Sequence, residues 1–176
     1  MRIFLTGMSG GIGSAIAERL YGHEVVSVVN TEIGGFDWLI FAHGVIGEEN
    51  PMYTFSVNAL LCIEYVERLL PRLKEDGGII FLSSTSGIRG NTKYPIYSAS
   101  KAALNSYAET LARSKPKLQV HALCPGPTDT KMWRSFGLKG KAQPPERVAD
   151  VVIDIIGGLH RSSVIITVRD STVDYV

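Results

Sequence analysis

Tyr97 and Lys101 stand four residues apart in "YSASK". On a helix that step puts both side chains on one face. An ammonium there can stabilise a phenolate and lower a pKa that starts near ~10, so the tyrosine can exchange protons near neutral pH. The same spacing also occurs by chance on surface helices, and the pair gains weight from its company. Ser84, in "SSTSG", closes an apolar run thirteen residues earlier, placed to meet the same pocket. A second stretch, "TGMSGGIG" at 6–13, ends one apolar run and opens a helical pattern. Its glycines let the backbone turn sharply and approach a pyrophosphate, and the helix N-terminus behind them favours an anion. Gly7, Ser9, Gly10, Gly11, Ile12 and Gly13 form this candidate cradle; a tight turn holding no ligand is the other reading of an isolated glycine pattern.

These residues need a scaffold, and the chain alternates strand-length apolar runs with helical patterns throughout, the mark of an α/β domain with a parallel sheet. Strands are expected over 3–6, 25–29, 38–42, 79–82, 118–125 and 163–168. Helices are expected over 11–22, closed by Gly22, then over 51–73, 95–114 and 144–156. This gives about six strands and four helices. Between the second and third strands lie only "NTEIGGF" residues. Gly34-Gly35 suits a hairpin turn, whereas a parallel crossover normally takes a dozen residues or more. Seven extended steps reach about 23 Å, and climbing one strand while crossing two spacings needs roughly 20 Å. A helix-free parallel crossover is therefore just possible, and it is the expected connection.

At 176 residues one domain is expected, and it can bury about 70% of its unfolded surface. Apolar residues make up 45% and charged residues 20%, with a net charge of +1, which gives no reason to expect nucleic acid or a membrane surface as partner. Only Cys62 and Cys124 are present, far apart, so neither a disulfide framework nor a thiolate metal site is expected; both read as inert core thiols. Met1-Arg2 runs straight into Ile3-Phe4-Leu5 without a leader pattern. With no run of ~18 apolar residues, a cytoplasmic location is expected.

Together these motifs resemble the short-chain dehydrogenase/reductase family, over residues 3–168. T-G-x-x-x-G-x-G is the family's form of the glycine loop, the Ser84-to-Tyr97 interval is similar to its serine-to-tyrosine spacing, and Asn58 in "FSVNALL" matches the asparagine of its catalytic tetrad. "CPGPTDTKMW" resembles its P-G loop, containing Pro125, Gly126, Thr128 and Thr130. The resemblance implies a single NAD(P)-binding Rossmann-fold domain over 1–176, a three-layer doubly wound sheet. It implies hydride transfer between NAD or NADP and a carbonyl or alcohol substrate. Ser84 would hold the substrate oxygen, Tyr97 would exchange its proton, Lys101 would bind the nicotinamide ribose, and Asn58 would hold a relaying water. Thr128, through its backbone, and Thr130, through its hydroxyl, would hold the carboxamide. The family also implies a homodimer or homotetramer built on the two long helices. A dinucleotide-binding sensor or scaffold without catalysis is the alternative.

Several positions depart from the family pattern. "FAHG" replaces N-N-A-G, leaving Gly44 in place; Ala42, His43 and Gly44 are expected along the adenosine side, His43 either packing or touching cofactor. One family strand, with its flanking helices, is missing between the second strand and "FAHG", so part of the adenine pocket must be absent or rebuilt. Val29, Asn30, Thr31 and Glu32 include no basic residue, which leans the choice to NAD, with Asn30 or Glu32 reaching the ribose. Arg89 and Lys93 read as solvated loop residues or as attractors of an anionic substrate. Trp133 and Phe136 read as a lid or as packing. The short loop over 125–144 implies an open site, suited to a bulky substrate or to none.

Overall fold

A computed structural model describes residues 1–27, 35–137, 140–159, 164–169 and 172–175. Along the chain run β1 (Arg2–Thr6), α1 (Gly11–Arg19), β2 (Glu24–Val26), β3 (Phe36–Phe41), α2 (Pro51–Phe55), α3 (Leu61–Leu69) and β4 (Leu73–Leu82). Then follow α4 (Ser86–Arg89), α5 (Pro95–Ser114), β5 (Gln119–Pro125), α6 (Lys131–Ser135), α7 (Pro145–Ile156), β6 (Ile165–Val168) and β7 (Val173–Tyr175). The sheet order is β2-β1-β3-β4-β5-β6-β7. All pairs are parallel except β6 with β7.

Strand alternation sorts the core into two layers, because successive side chains leave a strand on opposite faces. Ile3 and Leu5, Trp38 and Ile40, and Ile80 and Leu82 pack with α1 and α7. Their neighbours Phe4, Leu39, Phe41, Ile79 and Phe81 pack with α3 and α5. Helices therefore cover both faces, giving a three-layer, Rossmann-like α/β fold. Among the described residues, no helix is long and apolar enough to cross a membrane.

The short connection resolves in favour of the crossover. β2 and β3 lie on opposite sides of β1, and both run parallel to it, with Arg2 opposite Glu24 and Ile3 opposite both Val25 and Trp38. A hairpin would have made them antiparallel neighbours. The connecting residues 28–34, which include Asn30, Glu32 and Gly34, lie outside the described residues. Since the chain leaves β1 to one side and returns to the other, the strand order reverses at β1 and β3. A cleft at the carboxyl ends of the strands follows from that reversal.

Several details differ from expectation: α4 and α6 are short helices beyond the four expected, and β2 ends at Val26. α1 is capped by Leu20, with Gly22 two residues beyond at φ +86°. The helix expected over 51–73 is interrupted by one π turn, Ser56–Leu60, and tightens into a 3₁₀ turn at Leu70–Arg72, where Pro71 has no N–H to continue an α-helix. β4 then begins at Leu73, six residues earlier than expected, and pairs with Phe36 before an irregularity in register. The seventh strand, β7, has three residues and no alternating pattern long enough to read from sequence.

Candidate active site

The carboxyl ends of β1, β3, β4 and β5 bring the glycine loop, residues 42–44, Ser83-Ser84 and the P-G loop to one edge of the sheet. Gly7 leaves β1 at φ +74°, and a Cβ there would lie 2.5 Å from the Ala42 carbonyl carbon and 2.6 Å from the His43 nitrogen. A Cβ on Gly13 would lie 2.0 Å from the Gly7 oxygen, and one on Gly11 2.8 Å from the Thr130 side chain. Only glycines let α1 start this close to β1, and Gly10 caps the helix without any side-chain bond of its own. The cradle thus presents bare backbone, as a pyrophosphate requires.

A cavity of about 500 Å³ extends from this cradle, bordered by Gly7, Ser9, Gly10, Gly11, Ile12 and Gly13, by Ala42, His43 and Gly44, and by Tyr97, Lys101 and Thr130. A second, of about 300 Å³, adjoins it, bordered by Ser84, Pro125, Gly126, Thr128 and Trp133. The two share a wall that includes Ile12, Ile46, Tyr97 and Thr130. The first is large enough for much of a dinucleotide, and the bare glycine edge fits its phosphates. Asn58 borders neither cavity among the described residues.

Tyr97 sits in the first turn of α5 beside Ser84, whose Oγ accepts from the Ser86 N–H at 3.1 Å. Lys101, one turn on, is 3% exposed and donates to the Leu82 carbonyl at 2.7 Å, with its Nζ 5.9 Å from the Tyr97 ring centre. The expected depression of the tyrosine is not found. Burial pushes the phenol up, and Ser84 beside it only partly offsets this. Burial likewise pulls Lys101 down. Both charged forms lose water, and the ammonium is anchored on a carbonyl rather than on the phenol oxygen.

Asn58 lies in the π turn, fully buried. Its Oδ1 accepts from the Val45 N–H at 2.8 Å, and its Nδ2 donates to the Val45 carbonyl and to Ser100 Oγ, each at 2.9 Å. These three bonds tie the loop after β3 to α5. Thr54 adds a second tie, donating to the Gly47 carbonyl at 2.6 Å.

His43 is engaged inward: Nδ1 meets Thr6 Oγ1 at 2.6 Å, and Nε2 approaches Cys62 Sγ at 3.5 Å. Burial, with Lys101 nearby, lowers its pKa to about 4, so the ring is neutral at physiological pH. It packs and hydrogen-bonds while also bordering the first cavity. Burial raises Cys62 to about 11 and also raises Cys124, as suits core thiols. Thr130 caps α6, accepting from the Trp133 N–H at 3.2 Å. Trp133 borders the second cavity, and Phe136 borders the first while meeting the Tyr94 ring edge-on at 6.0 Å. Arg89 and Lys93 border neither of these cavities among the described residues.

Two contributors went unread in the sequence. Glu48 bridges 48 and 49 positions to accept from the Ile96 and Tyr97 N–H groups, both at 2.8 Å. It caps α5, whose own N-cap residue Tyr94 makes no side-chain bond. Nothing in "GEEN" distinguishes it from Glu49. Gln143, 2% exposed, donates to Thr128 Oγ1 at 3.3 Å and to the Val168 carbonyl at 3.0 Å. Its backbone pairs with Pro127 and Asp129, which fixes the P-G loop from beneath.

The short chain dehydrogenase family matches this sequence over residues 23–140, and the chain belongs to that family. It is 29% identical over 133 residues to a diacetyl reductase ((S)-acetoin forming) of Staphylococcus epidermidis, covering 68% of this chain and 52% of that protein. The chain spans about a third to a half of the length of the curated relatives it matches. A short-chain dehydrogenase/reductase structure from Brucella melitensis, described as a glucose/ribitol dehydrogenase, superposes with TM-score 0.85 at 22% identity, over 97% of this chain and 95% of that one. One from Burkholderia cenocepacia, in complex with NADP, gives 0.82 at 23% identity over 96% of both chains. At these identities the structures speak to the fold.

Proposed function

We propose that the chain is an NAD(P)(H)-dependent oxidoreductase interconverting a carbonyl and an alcohol, with Tyr97 as its acid and base. The observation that carries this reading is the Tyr97 phenol on the wall shared by a glycine-edged cavity and a smaller one that Ser84 borders. When bound, a reduced nicotinamide dinucleotide supplies the hydride that the carbonyl carbon receives, and is oxidised in turn. Ser84 donates a hydrogen bond to the substrate oxygen. Tyr97 gives that oxygen its proton, so that C=O becomes CH–OH, and the reverse reaction returns the proton to the phenolate. Lys101 borders the first cavity and would bind the ribose there. Asn58 holds the loop after β3 against α5 and so positions the other three.

On the cofactor side, the glycine loop would take the phosphates, residues 42–44 would flank the adenosine half, and Pro125, Gly126, Thr128 and Thr130 would flank the nicotinamide. An NADP-bound relative supports NADP, and the absence of a basic residue at 29–32 supports NAD, to which the reading leans. Exposed Met52, Tyr53 and Leu60, along α2 and the π turn, support a homodimer or homotetramer through that face. The two free buried cysteines suit a reducing cytoplasm.

Energy transfer from tryptophan to NADH or NADPH, followed by a carbonyl panel, tests the reading. Binding with turnover is expected, and NADH should bind more tightly; clearly tighter NADPH binding would reverse the cofactor lean. Binding without any turnover would make the chain a dinucleotide-binding sensor or scaffold instead.

A further inference from the structure

The 300 Å³ cavity is bordered by no Asp, Glu, Lys, Arg or His among its described residues. Its apolar walls come from Ile12, Ile46, the Tyr94 ring, Pro127, Met132 and Trp133. Ser83 donates to the Lys101 carbonyl at 3.2 Å, Thr85 to the Pro125 carbonyl at 3.3 Å, and Thr128 to the Gly126 carbonyl at 2.9 Å. Thr130 caps α6. Ser84, Ser86, Asn91 and the phenols of Tyr94 and Tyr97 supply its other polar groups, Tyr97 on the wall shared with the larger cavity. Pro125, Gly126 and Thr128 on one side of it would flank the nicotinamide, which leaves the substrate the remainder of a volume already at the small end of ligand cavities, ~300 to ~1,000 Å³.

We infer that this site takes a small, uncharged, predominantly apolar carbonyl compound or its secondary alcohol, presenting one oxygen to Ser84 and Tyr97, and that it rejects carboxylates. A carboxylate entering the cavity would lose water and find no cation on its walls in exchange. An apolar or aromatic group loses nothing there and packs on Trp133 and Tyr94. This rests on the oxidoreductase reading for its chemistry, while the substrate class itself is tested by binding.

The experiment uses methyl benzoylformate and benzoylformate, which share the reacting ketone and differ in charge. Binding is read from Trp133 fluorescence, with Trp133→Phe as the control, and turnover from oxidation or reduction of the cofactor. The neutral ester should give a saturable change that disappears in Trp133→Phe, and a kcat/KM at least about 100-fold above that of the acid. A smaller ratio, binding of the acid as tight as that of the ester, binding of neither, or a signal that survives Trp133→Phe would each overturn the inference. Ester binding with the expected preference but no turnover would leave the substrate class standing and remove the hydride-transfer reading.

Discussion

Replacing Glu48 by alanine removes the carboxylate that accepts from the Ile96 and Tyr97 N–H groups, both at 2.8 Å. These are first-turn donors of α5, which no residue of α5 itself can satisfy. Glu48 is only half-buried, so water can take its place at the helix end, and the cost is that of a lost cap, ~1–2 kcal/mol. For a domain of this size that lowers Tm by about 2–8 °C, measured by circular dichroism. Activity should fall further than stability suggests, because one of the two released groups belongs to Tyr97 itself. A shift of the phenol by ~1 Å can cost on the order of 10²-fold in kcat/KM. Glu48→Gln, keeping one acceptor, should fall between wild type and alanine in both measurements. An alanine variant melting within about 1 °C of wild type, below ~0.5 kcal/mol, with unchanged kcat/KM, would refute the capping argument.

The glycine cradle makes a graded prediction. Gly13→Ala, whose methyl would sit 2.0 Å from the Gly7 oxygen, should melt well below wild type and lose cofactor binding, whereas Gly10→Ala, at 3.3 Å from the same atom, should fold normally; equal thermal stability of the two would count against the packing described. His43 gives a pH prediction. Its folded pKa of about 4 lies below the ordinary 6.5, so the unfolded chain binds the extra proton between those values. The stability this contributes is complete above about pH 6.5 and lost as pH falls towards about 4, by at most ~3 kcal/mol. His43→Gln should therefore show a flatter dependence of Tm on pH over that window, and an unchanged slope would place the titration elsewhere.

What could be read from the sequence follows the range of the interactions involved. Tyr97 and Lys101 are one helical turn apart, and the glycine loop is a local bend, so their spacing announces them. The parallel reading of the short connection also held, because seven extended residues just cover the distance that a crossover needs. Glu48 and Gln143 act across 48 and 15 or more positions through ordinary polar side chains with no local pattern, so the fold had to be seen first. The π turn around Asn58 is equally silent, since its residues suit an α-helix and only the engagement with Val45 and Ser100 distinguishes it. The direction of the tyrosine shift was misjudged for a related reason: helical spacing puts Lys101 beside Tyr97, but not how deeply both are buried, nor that Leu82 holds the ammonium.

The central claim is that Tyr97 moves the proton, and Tyr97→Phe tests it most directly. The ring stays, so the wall between the two cavities keeps its shape while the phenol oxygen is gone. Cofactor affinity, read by energy transfer, should stay within about twofold, and kcat for reduction of a neutral ketone should fall ~10²- to 10⁴-fold, the usual worth of a positioned proton donor. Turnover at the wild-type rate in Tyr97→Phe would contradict the account.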